Sequence, residues 1–195
     1  MRFLRRTLIG FSLFISLTGC LPTGSKTQQH DPFDNPLYAK RYYDELLENL
    51  VSLSLHKDPM LQEKGKEKII EHARRDALAK AQEAEQKQQV GTRGVFIPME
   101  EYARGTALLA GNTLYLSTDF EATPGLSIRL FLTTAVDPRD VKFPDADAMD
   151  LGPLKSAYGA QAFPATLPLN PILYRTAVLW DTALERLIAF AQLSE

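Results

Sequence analysis

Cysteine occurs once in the 195 residues, at Cys20, and histidine three times, at His30, His56 and His72. One thiol excludes an intramolecular disulfide, so whatever folds has to be held by packing. Beyond His72 there is neither cysteine nor histidine. The second half therefore has no thiolate or imidazole for copper or an iron–sulfur cluster, and no Cys-x-x-Cys-His for covalent haem. Met99, Met149 and several tyrosines remain as formal haem ligands. Ser117, Ser127 and Ser156 have no histidine base in that half, which argues against a serine hydrolase. No pair of acids stands in a setting that suggests glycoside hydrolysis. An excess of positive charge is also missing. The chain has 22 Lys and Arg against 24 Asp and Glu, a net charge of −2, and lacks the concentrated basic patch that nucleic acid requires. These absences predict no enzyme, no cofactor and no nucleic-acid partner.

What is present begins at the N-terminus. Arg2, Arg5 and Arg6 precede an apolar run from Leu8 to Leu17, broken only by Gly10, Ser12 and Ser16 and too short to span a bilayer. Leu17-Thr18-Gly19-Cys20 closes it with small residues before the cysteine. A basic stretch, a short apolar stretch and a small-residue cleavage site, in that order, are a secretory signal. With a cysteine at its end, the signal resembles that of bacterial lipoproteins. The resemblance implies that residues 1–19 are removed and that Cys20 becomes a lipidated N-terminus carrying diacylglyceryl and an amide-linked acyl chain such as palmitate. A single chain binds a membrane only reversibly, at about 0.8 kcal/mol per buried methylene, whereas several chains anchor it. Leu21 stands where proteobacterial lipoproteins retained in the inner membrane usually carry aspartate. The implied location is the outer membrane, facing the periplasm or the outside of the cell envelope.

Loss of the signal removes three arginines, leaving 19 basic residues against 24 acidic ones, a charge near −5. Three segments follow. Residues 20–35 are poor in apolar side chains and read as a lipidated tether. Residues 36–90 read as a helical hairpin. Asp34-Asn35-Pro36 is a helix start with a polar cap and proline in the first turn, and Leu37, Tyr38, Tyr42, Leu46, Leu50 and Val51 recur near the helical period. Asp58-Pro59 opens a second helix whose Leu61, Ile69, Ile70, Ala73, Ala77, Leu78, Ala81 and Ala84 are expected to share a side. Its alanine-rich end is expected to meet solvent or a partner.

In residues 91–195 the period switches to two. Thr106–Ala110 and Thr113–Leu116 flank Gly111-Asn112, a two-residue hairpin signal. Leu126, Ile128, Leu130 and Leu132 alternate with Ser127, Arg129, Phe131 and Thr133, predicting a half-buried strand. Tyr174–Trp180 and Leu187–Leu193 supply two more strands around a turn at Asp181-Thr182. The fold class is α+β, with an antiparallel β-sandwich after the helical hairpin.

Several stretches of this half carry a resemblance. They are Gly105-Thr106-Ala107, Asp119-Phe120, and Thr123-Pro124-Gly125-Leu126 with the alternating strand behind it. Further on come Asp150-Leu151-Gly152-Pro153-Leu154-Lys155, Gly159-Ala160-Gln161 and Tyr174-Arg175-Thr176-Ala177-Val178-Leu179-Trp180. In order and spacing they resemble the DM-thirteen domain, a β-sandwich family found beside DOMON domains and described as an electron-transfer module. The match runs from about Gly94 to Leu193. The family's redox residue is a cysteine directly after the tryptophan of the last stretch, and this chain has Asp181 there, beside Trp180. A carboxylate cannot cycle through thiol, sulfenate and disulfide. Its position before Thr182 predicts instead that it accepts hydrogen bonds from turn amides.

Asp145, Asp147 and Asp150, with Asp137 and Asp140 upstream, are candidate oxygen ligands for calcium. The third acid slips by one from the alternate spacing of an EF-hand loop, and the glycine turn is missing. Glu100-Glu101 reads as a solvated pair near a strand start. Trp180 is expected in the core of a central strand. Two functions fit. One is a non-catalytic envelope lipoprotein that binds other envelope proteins through helices or sandwich. The other is an accessory of an envelope electron-transfer or metal system that keeps the family's surface without its cysteine.

Overall fold

The computed structural model describes residues 31–194 apart from Lys57 and residues 168–172. The signal at 1–19, Cys20 and the tether as far as residue 30 lie outside the described residues. Of the stretch 20–35 expected as a tether, the part from Asp31 on is built structure. The side chain of Asp31 accepts from the Phe33 amide at 3.0 Å and caps a 3-10 turn over Pro32–Asp34. Asn35 is buried. Its Oδ1 accepts from the amides of Leu37 and Tyr38, capping α1 (Pro36–Leu55). Proline at the first helical position loses no hydrogen bond there, as the sequence predicts.

A second 3-10 turn at Pro59–Gln62 leads into α2 (Lys66–Gln89). The two helices lie against each other along the hairpin. Asp58-Pro59 opens the turn and not the helix itself, which starts seven residues later. The buried stripe of α2 is Ile70, Ala77, Ala81 and Ala84. Ile69 and Leu78, expected on the same side, are exposed. Steps of seven, four and three residues track one line of a helix, whereas Ile69 and Leu78 fall about 100° to either side of it.

Among the described residues ten strands follow: β1 (Thr92–Pro98), β2 (Ala103–Arg104), β3 (Thr106–Ala110), β4 (Thr113–Leu116), β5 (Glu121–Ala122), β6 (Ile128–Thr133), β7 (Met149–Pro153), β8 (Gln161–Pro164), β9 (Thr176–Asp181) and β10 (Arg186–Gln192). Eight form one sheet in the order β7-β6-β9-β10-β1-β3-β4-β8, every pair antiparallel; β2 and β5 make a separate ribbon. The expectation of two packed sheets changes here. Thr92–Val95 pair with β3 while Phe96–Pro98 pair with β10, so β1 belongs to both arms. The two layers are arms of one curled sheet, nearly closed where its edge strands β7 and β8 approach. A strand shared across a corner keeps the ladder continuous and removes two open edges.

The interior is filled by Leu109, Leu114, Leu116, Phe120, Leu130, Leu132, Phe163, Leu179 and their neighbours. Outside the β6–β9–β10 arm lies a second cluster of Phe131, Val178, Trp180 and Phe190, covered by Phe143 and Ala148 of the 134–148 loop. That cover is why every residue of β9 is buried, and why Phe131 and Thr133 of β6 are buried where the alternation predicts a wet face. Leu126, expected to start the inward set, lies before β6 and is exposed. Trp180 sits where the sequence puts it, in the core of a strand flanked on both sides, its ring 5.2 Å from that of Phe143.

Candidate functional site

The alternation of β9 sends Val178 and Trp180 to the outer cluster and Ala177, Leu179 and Asp181 to the interior. Asp181 is the last residue of the strand, paired with Ile128 of β6 and Arg186 of β10, and its accessible surface is 0 %. Four backbone amides donate to it. Ala183 at 2.9 Å and Leu184 at 3.2 Å reach Oδ1 from the turn that follows. Leu126 at 2.9 Å and Ser127 at 3.3 Å reach Oδ2 from the segment entering β6. Thr182 completes the junction, its hydroxyl donating to that of Ser127 at 2.8 Å.

Burial works against ionisation of Asp181 and is the largest single influence on it. The four amides together outweigh burial and hold the carboxyl below the usual carboxylate range. Asp181 is therefore an anion neutralised by backbone dipoles. The approach is tight: a Cβ on Gly125 would lie 2.6 Å from Oδ2 and 2.8 Å from Cγ1 of Ile128, so only glycine lets this loop close over the carboxylate. Beside it is a cavity of about 250 Å³ walled by Glu101, Thr123, Pro124, Leu126, Leu184 and Arg186. Arg186 bridges two acids there, Glu100 at 3.0 Å and Glu101 at 3.1 Å, so that pair ties β10 to the loop after β1.

This arrangement does not favour chemistry at Asp181. Its four amide donors match in number the roughly four lone-pair sites of a carboxylate. A proton, an electrophile or a cation would have to displace them before it could be bound. Asp181 is a structural knot between β6, β9 and the turn.

The acidic loop does not converge. Asp145 accepts from the Thr133 hydroxyl at 2.6 Å, Asp147 faces Thr134 at 3.5 Å, and Asp150 pairs with Arg129 at 2.8 Å. Asp137 is held by Arg139, whose guanidinium pulls the carboxyl below its usual range and also lies 5.5 Å over the Phe190 ring. Thr133 is itself fully buried, so Asp145 anchors the loop that covers the outer cluster. Among the described residues no group of three or more His, Cys, Asp or Glu could hold a metal ion.

Two other stretches of the β half are fixed by local hydrogen bonds. Asp150 accepts from the Gly152 amide at 2.8 Å. The ladder skips between Leu130–Gly152 and Phe131–Asp150, a bulge in which Gly152 takes φ +113. Gln161 is buried; its Oε1 accepts from Lys155 and Ser156 and its Nε2 donates to the Ser156 carbonyl at 2.8 Å, which fastens β8 to the chain leaving β7. Asn35 was legible only as a helix cap. Its Nδ2 also donates to the carbonyl of Leu116 at 2.9 Å, pinning the hairpin root to β4. No sequence signal reveals that second partner, 81 residues away.

Comparison with known proteins gives no matching family model, no matching curated protein and no matching solved structure.

Proposed function

We propose that this chain is a non-catalytic lipoprotein of the bacterial envelope. In this reading it is anchored through Cys20, carries a DM-thirteen-like β domain after a helical hairpin, and binds other envelope proteins. The sequence reasons are the signal ending in Leu17-Thr18-Gly19-Cys20 and the ordered stretches between Gly94 and Leu193. The observation that carries the binding role is the hairpin. It meets the β domain at its root, through Asn35, Arg41 to the Thr118 hydroxyl at 2.7 Å, and the end of α2. Further out it leaves Leu55, Ile69 and Leu78 exposed. Apolar side chains spread along a projecting helix pair suit helix-to-helix contact with a partner. The saturated carboxylate of Asp181 favours this reading over the accessory-of-a-redox-system reading, because the position has no free acceptor to offer.

Two measurements test it. Growth with a clickable fatty acid is expected to label the protein, and Cys20→Ser is expected to abolish the label and release the protein from membranes. A photo-crosslinking residue at position 69 is expected to trap a defined envelope protein in intact cells, and one at exposed Leu173 is not. Labelling unchanged by Cys20→Ser would overturn the anchor. Equal, unspecific adducts from both positions would overturn the binding role of the hairpin.

A further inference from the structure

Where the described chain begins, four aromatic rings gather on one face of the hairpin root. Phe33 lies 5.4 Å from Tyr38, 5.0 Å from Tyr42 and 5.5 Å from Tyr43, and Tyr38 stacks on Tyr42 at 6.3 Å. Phe33 and Tyr42 keep 38 % and 43 % of their surface exposed. The cluster is held in place by its backbone. Asp31 caps the turn that carries Phe33, and Asn35 fixes both the helix that carries the tyrosines and the β domain behind it. An ordered, partly exposed cluster of three phenols and a benzyl ring needs a reason, with Phe33 and Tyr42 open to solvent and Tyr38 and Tyr43 half-buried behind them.

We propose that this ring cluster is the surface on which the protein rests against the lipid bilayer, an inference that rests on the lipoprotein reading above. Reach supports it. Ten residues separate Cys20 from Asp31, a length that extends to at most about 40 Å. The chain to the anchor enters two residues before Phe33, so an anchored protein keeps the rings close to the headgroups at high effective concentration. The chemistry fits as well. Tyrosine has an apolar body and a hydroxyl tip, which is what the boundary between acyl chains and headgroups accommodates. The charge around the cluster gives no pull towards anionic lipid. Lys40 pairs with Asp44, Arg41 with Glu45, Lys80 with Asp76 and Lys87 with Glu83, at 2.7–2.9 Å, and the acids Asp31 and Asp34 flank Phe33. With each of these cations matched, contact depends on the rings, and salt, which screens the two acids from anionic headgroups, does not weaken it.

The test uses the full-length lipidated protein in vesicles of phosphatidylethanolamine and phosphatidylglycerol containing brominated lipid. The chain has one tryptophan, Trp180, which is buried and supplies a constant background. In Phe33→Trp, the added emission is expected to be mostly lost when the bromines sit just below the headgroups, less so when they sit deep, and no less in high salt than in low. Added emission that stays unquenched, while the protein floats with the vesicles and carries its fatty-acid label, overturns the inference and leaves the lipoprotein reading intact. An absent label overturns the lipoprotein reading itself. A second arm does not depend on lipidation. Full-length Cys20→Ser protein is expected to bind the same vesicles weakly at high lipid concentration. Phe33→Ser/Tyr42→Ser, two partly exposed positions, is expected to cut that binding several-fold. Retention on isolated peptidoglycan that the double variant loses, without quenching in vesicles, would assign the rings to a glycan and overturn the proposal.

Discussion

The Asp181 carboxylate at the end of β9 binds four amides, two from its own turn and two from a segment 54 and 55 residues away in sequence. Its pH signature follows from the sign of its shift. The carboxyl titrates lower in the folded protein than in the unfolded chain, so its stabilisation is complete above the unfolded value, about 3.9, and is lost as pH falls through the folded one. The melting temperature is expected to drop on acidification below about pH 5, and Asp181→Asn is expected to lie lower at neutral pH with a flatter acid limb. An amide offers an acceptor to one pair of amides and presents N–H groups to the other. Removing the acceptor altogether in Asp181→Ala is expected to cost about 2–4 kcal/mol in chemical denaturation, as buried donors lose a charged partner. Gly125→Ala is expected to destabilise through the 2.6 Å approach to Oδ2, and less so in the Asp181→Ala background, where that atom is gone. Additive losses would show that the two do not meet. The sequence made half of this knot legible. An acid before Thr182 predicts bonds to its own turn, and Ala183 and Leu184 supply them. Leu126 and Ser127 depend on the register of β6 against β9, which no local pattern fixes.

At the scale of the element, the period-two runs identify the strands but misread how many faces are dry. Ser127, Arg129, Phe131 and Thr133 form a polar-leaning set, which predicts solvent on that side of β6. The chain instead folds its 134–148 loop back over it, tied down by Thr133 to Asp145 and by Thr176, whose hydroxyl donates to the Val136 carbonyl at 2.9 Å. A loop rich in Asp and Pro carries no periodicity, so its role as a lid over Phe131, Trp180 and Phe190 cannot be read from the sequence. Trp180→Ala is expected to cost about 3–5 kcal/mol, as for other large aromatics removed from a core. Thr133→Val, which keeps the shape and loses the hydroxyl, is expected to raise proteolytic cutting within 134–148 while leaving β6 protected from hydrogen exchange. Equal loss of protection in loop and strand would mean that they unfold together. The helices were legible in the same partial way. The cap at Asn35 is local chemistry and appears where expected, whereas Asp58 caps a 3-10 turn and not the second helix, and the narrow α2 stripe depends on how closely α1 approaches. Small alanines at 77, 81 and 84 allow that approach and leave Ile69 and Leu78 outside it.

The whole molecule consists of a curled sheet with its own interior and a helix pair attached at one end. Every residue of the main interior cluster comes from beyond residue 95, and the helices bury mainly alanines against each other. The attachment is polar and local. Asn35 donates to the Leu116 carbonyl, Arg41 reaches Thr118, and Gln88 reaches back across the hairpin to the Pro36 carbonyl at 2.8 Å. No helix among the described residues is long and apolar enough to cross a membrane, so the hairpin is not accounted for as a span. A core made within one segment and a hairpin joined by a few hydrogen bonds predict that the segment folds alone. A fragment from Gln89 to Glu195 is expected to be soluble and to melt in one cooperative step, somewhat below the full chain. Asn35→Ala in the full chain is expected to reproduce only part of that deficit, because it removes one of the attachments and leaves Arg41 on Thr118 and the end of α2 on the sheet. The cap itself is worth about 1 kcal/mol, and the exposed Leu116 carbonyl regains water in the fragment. Calorimetry decides the matter through the ratio of calorimetric to van't Hoff enthalpy. A ratio near unity for the fragment makes the hairpin an appendage, free to serve a partner or the membrane without unsettling the β domain. A broad melt with a ratio well above unity would mean that the helices complete the core.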